Sequence, residues 1–150
     1  MIRFVKGNLF DSTAEALVNA VNCVGVMGKG IALQFKHRFP LMYLDYRNKC
    51  HREEIRLGQV SLFRENGRII INFPTKGHWR SDSYLKNIVS GLQSLHEAIR
   101  VKKIRSIAIP PLGCGNGGLQ WSRVMAVLKS CLSDLDDVDI EIYMPAQKRE

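Results

Sequence analysis

The sequence predicts an α/β fold in which a mixed, largely parallel sheet lies between two layers of helices. Short apolar runs typical of buried strands alternate along the chain with longer runs that have the apolar period of amphipathic helices. Two glycine-rich segments each follow a strand-like run and precede a helix-like run. The chain has 150 residues, so we expect one domain that spans residues 1–150.

Six apolar runs are predicted to form the strands of this sheet. Asn66-Gly67 lies between the third and fourth runs and is a strong signal for a tight antiparallel hairpin. The other strands are separated by helices, which favours parallel pairing. The predicted strands are Ile2–Lys6, Ala16–Val21, Val60–Phe63, Ile69–Phe73, Ser106–Ile109 and Val138–Tyr143.

Four helices are expected between these strands. The first carries Ile31, Leu33 and Phe35, and the second begins at Pro40, where a missing N–H costs little, and runs towards Cys50. Asp82 is the expected cap of the third and longest helix. The apolar positions of the last two helices are Leu85, Ile88, Val89, Leu92, Leu95 and Ile99, then Trp121, Val124, Met125 and Leu128.

The two glycine-rich segments, Gly25-Val-Met-Gly-Lys-Gly30 and Gly113-Cys-Gly-Asn-Gly-Gly118, predict a phosphate-binding site. Glycine lets backbone N–H groups approach a ligand closely, and the helix that follows adds the positive end of its dipole. Both segments leave the carboxyl ends of predicted strands, as does the segment Asn72–Arg80. In sheets of this type these ends form the ligand crevice.

The distribution of charged residues supports the prediction of a phosphate-binding site. No Asp or Glu occurs between Asn19 and Lys36, between Asn72 and Ser81, or between Pro110 and Trp121. Such a site favours an anion and lacks the carboxylates that hold Mg²⁺ or form an acid/base pair. The net charge of +8 favours phosphate-rich partners, including nucleic acid. The cations within these acid-free stretches are Lys29, Lys36, Lys76 and Arg80.

Two common nucleotide-binding motifs fit poorly. Gly113-x-Gly115-x-x-Gly118 matches the dinucleotide fingerprint, but only one helix and one strand follow it, whereas that fingerprint opens a Rossmann domain. A P-loop around Lys29 would need glycine at Cys23 and Ser or Thr at Gly30. A nicotinamide dehydrogenase and a P-loop enzyme are therefore disfavoured.

The cysteines and histidines give no metal-binding pattern. The four cysteines lack CxxC spacing and lie near apolar residues, which predicts buried reduced thiols in a cytoplasmic protein. The four histidines do not pair with cysteines or acids at metal-ligand spacing, so we expect no metal. No apolar run is long enough to span a membrane.

Three polar residues are candidates for chemistry. Asn19 and Asn22 stand at the end of an apolar strand, beside the first glycine segment, and are assigned to ribose hydroxyls or a glycosidic centre. Lys76 would need desolvation or a nearby cation to act as a nucleophile, and Arg80 or a helix N-terminus could supply that field. Cys114 has no recognisable base beside it and is expected to pack within its loop.

Five segments of the chain resemble the macrodomain family, over essentially its whole length. They are most similar to its ALC1-like branch, and within it to antitoxins that remove ADP-ribose from DNA. The segments are Gly7–Phe10, Ala16–Asn22, Gly25–Phe35, Asn72–Lys76 and Pro110–Trp121.

The resemblance implies an ADP-ribose pocket in a three-layer α/β/α macrodomain, with no cofactor. Lys76 matches the family's essential lysine, and Asn22 would contact the distal ribose near the scissile bond. The implied ligand-binding residues are Asn8, Leu9, Asn19, Gly25, Met27, Gly28, Lys29, Gly30, Thr75, Pro111, Leu112, Gly113, Cys114, Gly115, Asn116, Gly117 and Gly118.

The chain departs from the family pattern at two positions. Asn8 stands where most members have an Asp that accepts from the adenine amino group, and an amide carbonyl can also accept. Gly117 stands where some deacylating members place a catalytic Asp. The second departure favours hydrolysis of ADP-ribosylated DNA over deacylation of protein esters.

The sequence therefore predicts a glycohydrolase that removes ADP-ribose from a thymine base of ADP-ribosylated single-stranded DNA. The resemblance further implies a cognate DNA ADP-ribosyltransferase toxin as a partner. Three alternatives stay open: a non-catalytic ADP-ribose reader, an ADP-ribosyl-protein hydrolase, and a phosphatase acting on ADP-ribose 1″-phosphate. Whether Lys76 attacks the anomeric carbon or polarises it also stays open.

Overall fold

The structure, a computed structural model, describes residues 1–146 and contains a six-stranded sheet with four α-helices. The strands are β1 (Ile2–Val5), β2 (Ala16–Val21), β3 (Ser61–Glu65), β4 (Arg68–Pro74), β5 (Ser106–Ile109) and β6 (Asp139–Tyr143). The helices are α1 (Gly30–Arg38), α2 (Pro40–His51), α3 (Leu85–Val101) and α4 (Trp121–Leu132). One 3₁₀ turn, Leu9–Asp11, follows β1.

The sheet is mixed and largely parallel, as predicted. Its strand order is β1-β6-β5-β2-β4-β3, and only the β3–β4 pair is antiparallel. Asn66 and Gly67 join β3 to β4 with φ values of 52° and 74°. Positive φ at both central residues is the geometry that favours Asn-Gly in two-residue hairpins. The predicted hairpin is therefore confirmed.

Helices cover both faces of the sheet and complete the three-layer fold. The apolar residues of α3 and α4 pack against one face, with Ile88, Leu92 and Leu95 fully buried. Phe35 of α1 and Tyr46 of α2 are fully buried against the other face. The largely parallel sheet needs this cover because its strands are apolar on both sides.

Two local expectations were wrong, and one local element was not predicted. Asp82 does not cap α3, which begins at Leu85 with Tyr84 in the cap position and no side-chain cap. The 3₁₀ turn after β1 was not expected, and the Asn8 side chain caps it by accepting from Phe10 N at 2.9 Å. All four cysteines are free thiols, but only Cys50 is buried.

The topology opens a crevice at the carboxyl ends of the strands. β2 and β5 are parallel neighbours in the sheet. The chain leaves β2 towards α1 on one face and leaves β5 towards α4 on the opposite face. The two glycine segments thus diverge from adjacent strand ends, which is the arrangement that creates a ligand site in open α/β sheets.

Candidate active site

A cavity of about 560 Å³ occupies the crevice between the two glycine segments. This volume is within the range of small-molecule sites. Strand ends, the start of α1 and the loop after β4 also contribute to its wall. The lining residues are Ala20, Val21, Asn22, Val26, Gly28, Lys29, Gly30, Ile31, Ala32, Thr75, Lys76, Trp79, Pro110, Pro111, Gly113, Gly115, Asn116 and Gly117.

A second cavity, of about 370 Å³, adjoins the first at the carboxyl ends of β1 and β6. The two cavities share Ile31, Pro110 and Pro111 in their walls. The second is also lined by Asn8 and Leu9, with Phe10 beside them. The pair therefore forms one elongated groove, open enough for a ligand with two separate ends.

The walls of both cavities contain no Asp or Glu. Lys29 and Lys76 supply cations to the main cavity. The first residues of α1, Gly30–Ala32, also line it, so the unpaired N–H groups of that helix end lie at the cavity. Their dipole and the lysine charges favour an anion here.

The first glycine segment is held in shape by the side chain of Asn22. Its Nδ2 donates to Val26 O at 2.7 Å, and its Oδ1 accepts from Val24 N at 3.1 Å and Val26 N at 3.4 Å. Nδ2 carries two hydrogens, and Val26 takes one of them. Asn22 thus shapes the loop and has a donor left for a ligand in the cavity it lines.

Tyr46 of α2 supports Asn22 from behind. Its hydroxyl donates towards Asn22, 2.8 Å from the backbone oxygen and 2.9 Å from Oδ1. Burial raises the pKa of the Tyr46 phenol, so the hydroxyl stays protonated and remains a donor. Sequence reasoning missed this residue, because it lies on a helix 24 positions away from its partner.

The second glycine segment is shaped by close packing instead. Gly113 has a φ of +74°, a conformation that side chains rarely adopt, and its carbonyl accepts from Leu119 N at 2.9 Å. A Cβ at Gly117 would lie 2.3 Å from Ser83 Oγ and 2.6 Å from Gly113 O. Gly117 also accepts from Ser83 N at 3.0 Å. This position therefore has no room for a side chain.

Lys76 is half-buried on the loop after β4. Its ammonium donates to Trp79 O at 3.1 Å. The loop is tied to the first glycine segment, because Cys23 N donates to Gly77 O at 3.0 Å. The guanidinium of Arg80 lies over the Trp79 ring, 4.5 Å from its centroid.

Most of the candidate residues lie together in the groove. Asn8 and Leu9 line the second cavity, and Pro111 lines both. The main cavity is lined by the two candidate catalytic residues, Asn22 and Lys76, and by the candidate ligand-binding residues Gly28, Lys29, Gly30, Thr75, Pro111, Gly113, Gly115, Asn116 and Gly117.

Six candidates lie outside both cavity walls. Asn19 is fully buried under the first glycine segment, where its Nδ2 donates to Asn72 Oδ1 at 3.2 Å. Burial in the core places Asn19 too deep for the ribose contact expected of it. The other five are the buried residues Gly25, Met27 and Leu112, the half-buried Cys114 and the exposed Gly118.

Cys114 packs within its loop, as expected. Its thiol donates to Leu112 O at 3.6 Å. Burial raises the pKa of the Cys114 thiol to about 11, which keeps it protonated and unsuited to nucleophilic attack.

The wall also includes residues that sequence reasoning missed. Trp79 is the largest of them, and its place beside Lys76 within an acid-free stretch was the signal that could have found it. Pro110, which directly follows β5, is another wall residue that was not among the candidates. The remaining ones, which carried no sequence signal, are Ala20, Val21, Val26, Ile31 and Ala32.

Residues 1–146 contain no group of three or more His, Cys, Asp or Glu side chains that could hold a metal ion. In the same part of the chain, no helix is both long enough and apolar enough to cross a membrane.

The fold and the groove define a class of protein: an α/β domain in which glycine loops, a helix N-terminus and lysines line an acid-free groove. Residues 18–128 match the family model of the Macro domain. The chain belongs to the macrodomain family.

Individual relatives are similar over nearly the whole chain. The DNA ADP-ribosyl glycohydrolase of Mycobacterium tuberculosis is 50% identical over 97% of this chain and 43% of its own length. A DNA ADP-ribosyl transferase-DNA ADP-ribosyl glycohydrolase fusion protein of Thermosipho africanus is 34% identical over 99% of this chain and 43% of its length. The chain thus spans less than half the length of these curated relatives.

Solved structures agree with these similarities. The macrodomain of Mycobacterium tuberculosis DarG superposes with a TM-score of 0.96 at 49% identity, covering 97% of this chain and 99% of that one. Thermosipho africanus DarTG in complex with ADP-ribose superposes with a TM-score of 0.92 at 36% identity, covering 99% of this chain and 43% of that one.

Proposed function

We propose that this chain is a DNA ADP-ribosyl glycohydrolase that removes ADP-ribose from a thymine base of single-stranded DNA. One observation carries the proposal: Lys76 lies on the wall of an acid-free cavity between two glycine loops. The 50% identity with the Mycobacterium tuberculosis protein of that name supports it. We also propose that residues 1–150 form one macrodomain and belong to its ALC1-like branch.

ADP-ribose would lie along the groove with its adenosine end in the second cavity. Asn8 Oδ1 accepts from Phe10 N, and its second lone pair can accept from the adenine amino group. The diphosphate would lie between the glycine segments, near the N-terminus of α1 and Lys29. The distal ribose would then reach Asn22 and Lys76.

Hydrolysis breaks the bond between the anomeric carbon and the thymine nitrogen, with water supplying hydroxyl to the carbon and a proton to the base. Lys76 would either attack that carbon or stabilise the charge that develops there. Asn22 and the loop amides would hold the ribose, and fixing this geometry supplies much of the rate. The groove walls have no carboxylate pair to do this work.

Deacylation of protein esters is a weaker candidate. The packing of Gly117 against Ser83 leaves no space for a carboxylate at the position where deacylating members carry one. The acid-free rim also suits a polyanionic substrate, which carboxylates would repel.

We propose a cognate DNA ADP-ribosyltransferase toxin as partner and the cytoplasm as the place of action. The Thermosipho africanus relative supports the first part, because its name joins a transferase to a glycohydrolase. The structure of DarTG from the same organism contains ADP-ribose, which supports ADP-ribose as the ligand.

The function is tested with a single-stranded oligonucleotide that carries ADP-ribose on thymine. We expect wild type to release free ADP-ribose and Lys76→Ala to be at least about 100-fold slower. The affinity for free ADP-ribose should change by less than about tenfold, since the diphosphate and adenine contacts lie elsewhere. Lys102→Ala, an exposed lysine beyond the end of α3, is the matched control and should match wild type.

Lys76→Arg separates the two roles of the lysine. Arginine keeps the charge but cannot be deprotonated, so activity well above that of Lys76→Ala indicates electrostatic stabilisation. An equally inactive Lys76→Arg indicates attack by the amine. Binding of ADP-ribose by a wild type that releases nothing would make the chain a reader and contradict the proposal.

A further inference from the structure

Three flat side chains stack on one another beside the main cavity: His78, Trp79 and Arg80. The His78 and Trp79 ring centroids are 5.1 Å apart, with their planes inclined by 31°. The Arg80 guanidinium lies 4.5 Å from the Trp79 ring centroid. Trp79 is 43% exposed, which is high for so large an apolar side chain.

The position of this stack is fixed relative to Lys76. Trp79 is part of the cavity wall, and its carbonyl accepts from the Lys76 ammonium. Arg80 N donates to His78 Nδ1 at 3.1 Å, and Ser81 N donates to His78 O at 3.0 Å, so the turn that carries the stack is hydrogen-bonded. The stack thus stands at the mouth of the cavity, on the side of the candidate catalytic lysine.

The chemistry of the stack matches a nucleotide. Aromatic rings and guanidinium planes both stack on nucleobases, and such contacts tolerate any base because each has a π-face. Arg80 also carries a charge that suits a phosphate, and no Asp or Glu lies between Asn72 and Ser81. A nucleotide therefore fits the aromatic and cationic side chains of this surface.

We propose that the His78–Trp79–Arg80 stack is a nucleobase subsite, which receives the thymine that carries ADP-ribose. This inference rests on the proposed function. The base is bonded to the distal ribose, so a ribose held at Lys76 brings the base out of the cavity at Trp79. The base packs on the exposed surface of the stack that Trp79 holds together, and the charge of Arg80 lies near the phosphate beside it.

The first test measures ADP-ribose release from the modified oligonucleotide by Trp79→Ala, Trp79→Phe and Tyr84→Ala. Loss of a base stack costs about tenfold in kcat/KM, so Trp79→Ala should fall by that factor or more, and Trp79→Phe should recover most of the loss. Tyr84 is a similarly large, exposed aromatic side chain outside both cavity walls, and Tyr84→Ala should match wild type. Tyr84→Ala should bind free ADP-ribose like wild type, whereas the Trp79 variants should lose clearly less affinity for free ADP-ribose than they lose in kcat/KM.

A second test does not depend on catalysis. Unmodified oligothymidine should quench tryptophan emission in wild type, and the quenching should disappear in Trp79→Phe, which leaves Trp121 as the one remaining tryptophan. Normal cleavage by Trp79→Ala, or equal losses of cleavage and ADP-ribose affinity, would overturn the subsite. A wild type that cleaves no modified DNA refutes the proposed function, and the quenching then decides the subsite alone.

Discussion

The two ends of the sheet carry cavities that differ in their charged residues. The carboxyl end has the acid-free groove with Lys29 and Lys76. The amino end has a cavity of about 380 Å³ that is lined by both bases and acids: His96, Arg100, Lys103, Arg105, Asp134, Asp136 and Asp137. There His96 Nε2 lies 2.8 Å from Asp134 Oδ1.

The difference shows that the count of basic residues does not locate a ligand site. The amino-end cavity is lined by more cationic side chains than the groove, but three aspartates line it as well, and their negative charge opposes that of the cations. In the groove, lysines and backbone N–H groups lack such counter-charges. The missing carboxylates, and not the overall charge of +8, distinguish the end of the sheet proposed to bind the ligand.

The largest effect should come from filling the groove at Gly115. No atom lies within 4 Å of a Cβ built there, and φ is not positive, so Gly115→Leu should fold normally. Its side chain would occupy the space where the diphosphate is expected, and ADP-ribose affinity should fall by about 100-fold or more. Calorimetric titration measures the affinity, and a near-wild-type value would exclude this loop from the binding site.

A single carboxylate placed in the groove should reduce the difference in charge between the cavities at the two ends of the sheet. Asn116→Asp puts a negative charge on an exposed wall residue and should weaken ADP-ribose binding by about tenfold through repulsion of the diphosphate. The effect should shrink at high salt because the site is open to solvent. Asp136→Asn changes the charge at the amino end in the opposite sense and should leave the affinity unchanged. Equal changes of ADP-ribose affinity in the two variants would contradict the claim that charge matters only at the carboxyl end of the sheet.

The smallest effect concerns the pH dependence of stability at the amino end. A hydrogen bond from His96 holds the pKa of Asp134 below its ordinary value. A carboxyl group whose folded pKa is lowered stabilises the protein above its unfolded pKa, near 4, and loses this contribution as pH falls through the folded pKa. His96→Ala should therefore lower Tm slightly at pH 5, and the difference should vanish once the pH is low enough to protonate Asp134. A difference that grows towards low pH would have the wrong sign.

Local sequence signals predicted the sheet, the Asn66-Gly67 hairpin and the acid-free loops, because each depends on residues close together in the chain. The third helix was placed well by its apolar period, but Asp82 was mistaken for its cap, since several polar residues precede Leu85. Caps depend on backbone angles that composition does not reveal.

The sequence predicted those parts of the site that contain glycine segments and Lys76. It did not predict which other side chains reach the cavity, because tertiary packing determines their positions. Asn19 and Asn22 are alike in sequence, but strand alternation and the turn after β2 bury the first and place the second in the cavity wall. Tyr46 and Ser83 support the two loops from distant elements, and only the folded chain brings them there.

The most direct test of the central claim, that the acid-free groove binds ADP-ribose, is the Tm of the wild-type protein with and without this ligand. A ligand that binds only the native state at about 100 times its Kd adds ~2.7 kcal/mol to the free energy of unfolding. For a chain of this size that corresponds to an increase of about 5–10 °C. If the groove binds ADP-ribose, wild type should show this increase and Gly115→Leu should not. An unchanged Tm in millimolar ADP-ribose would contradict the claim.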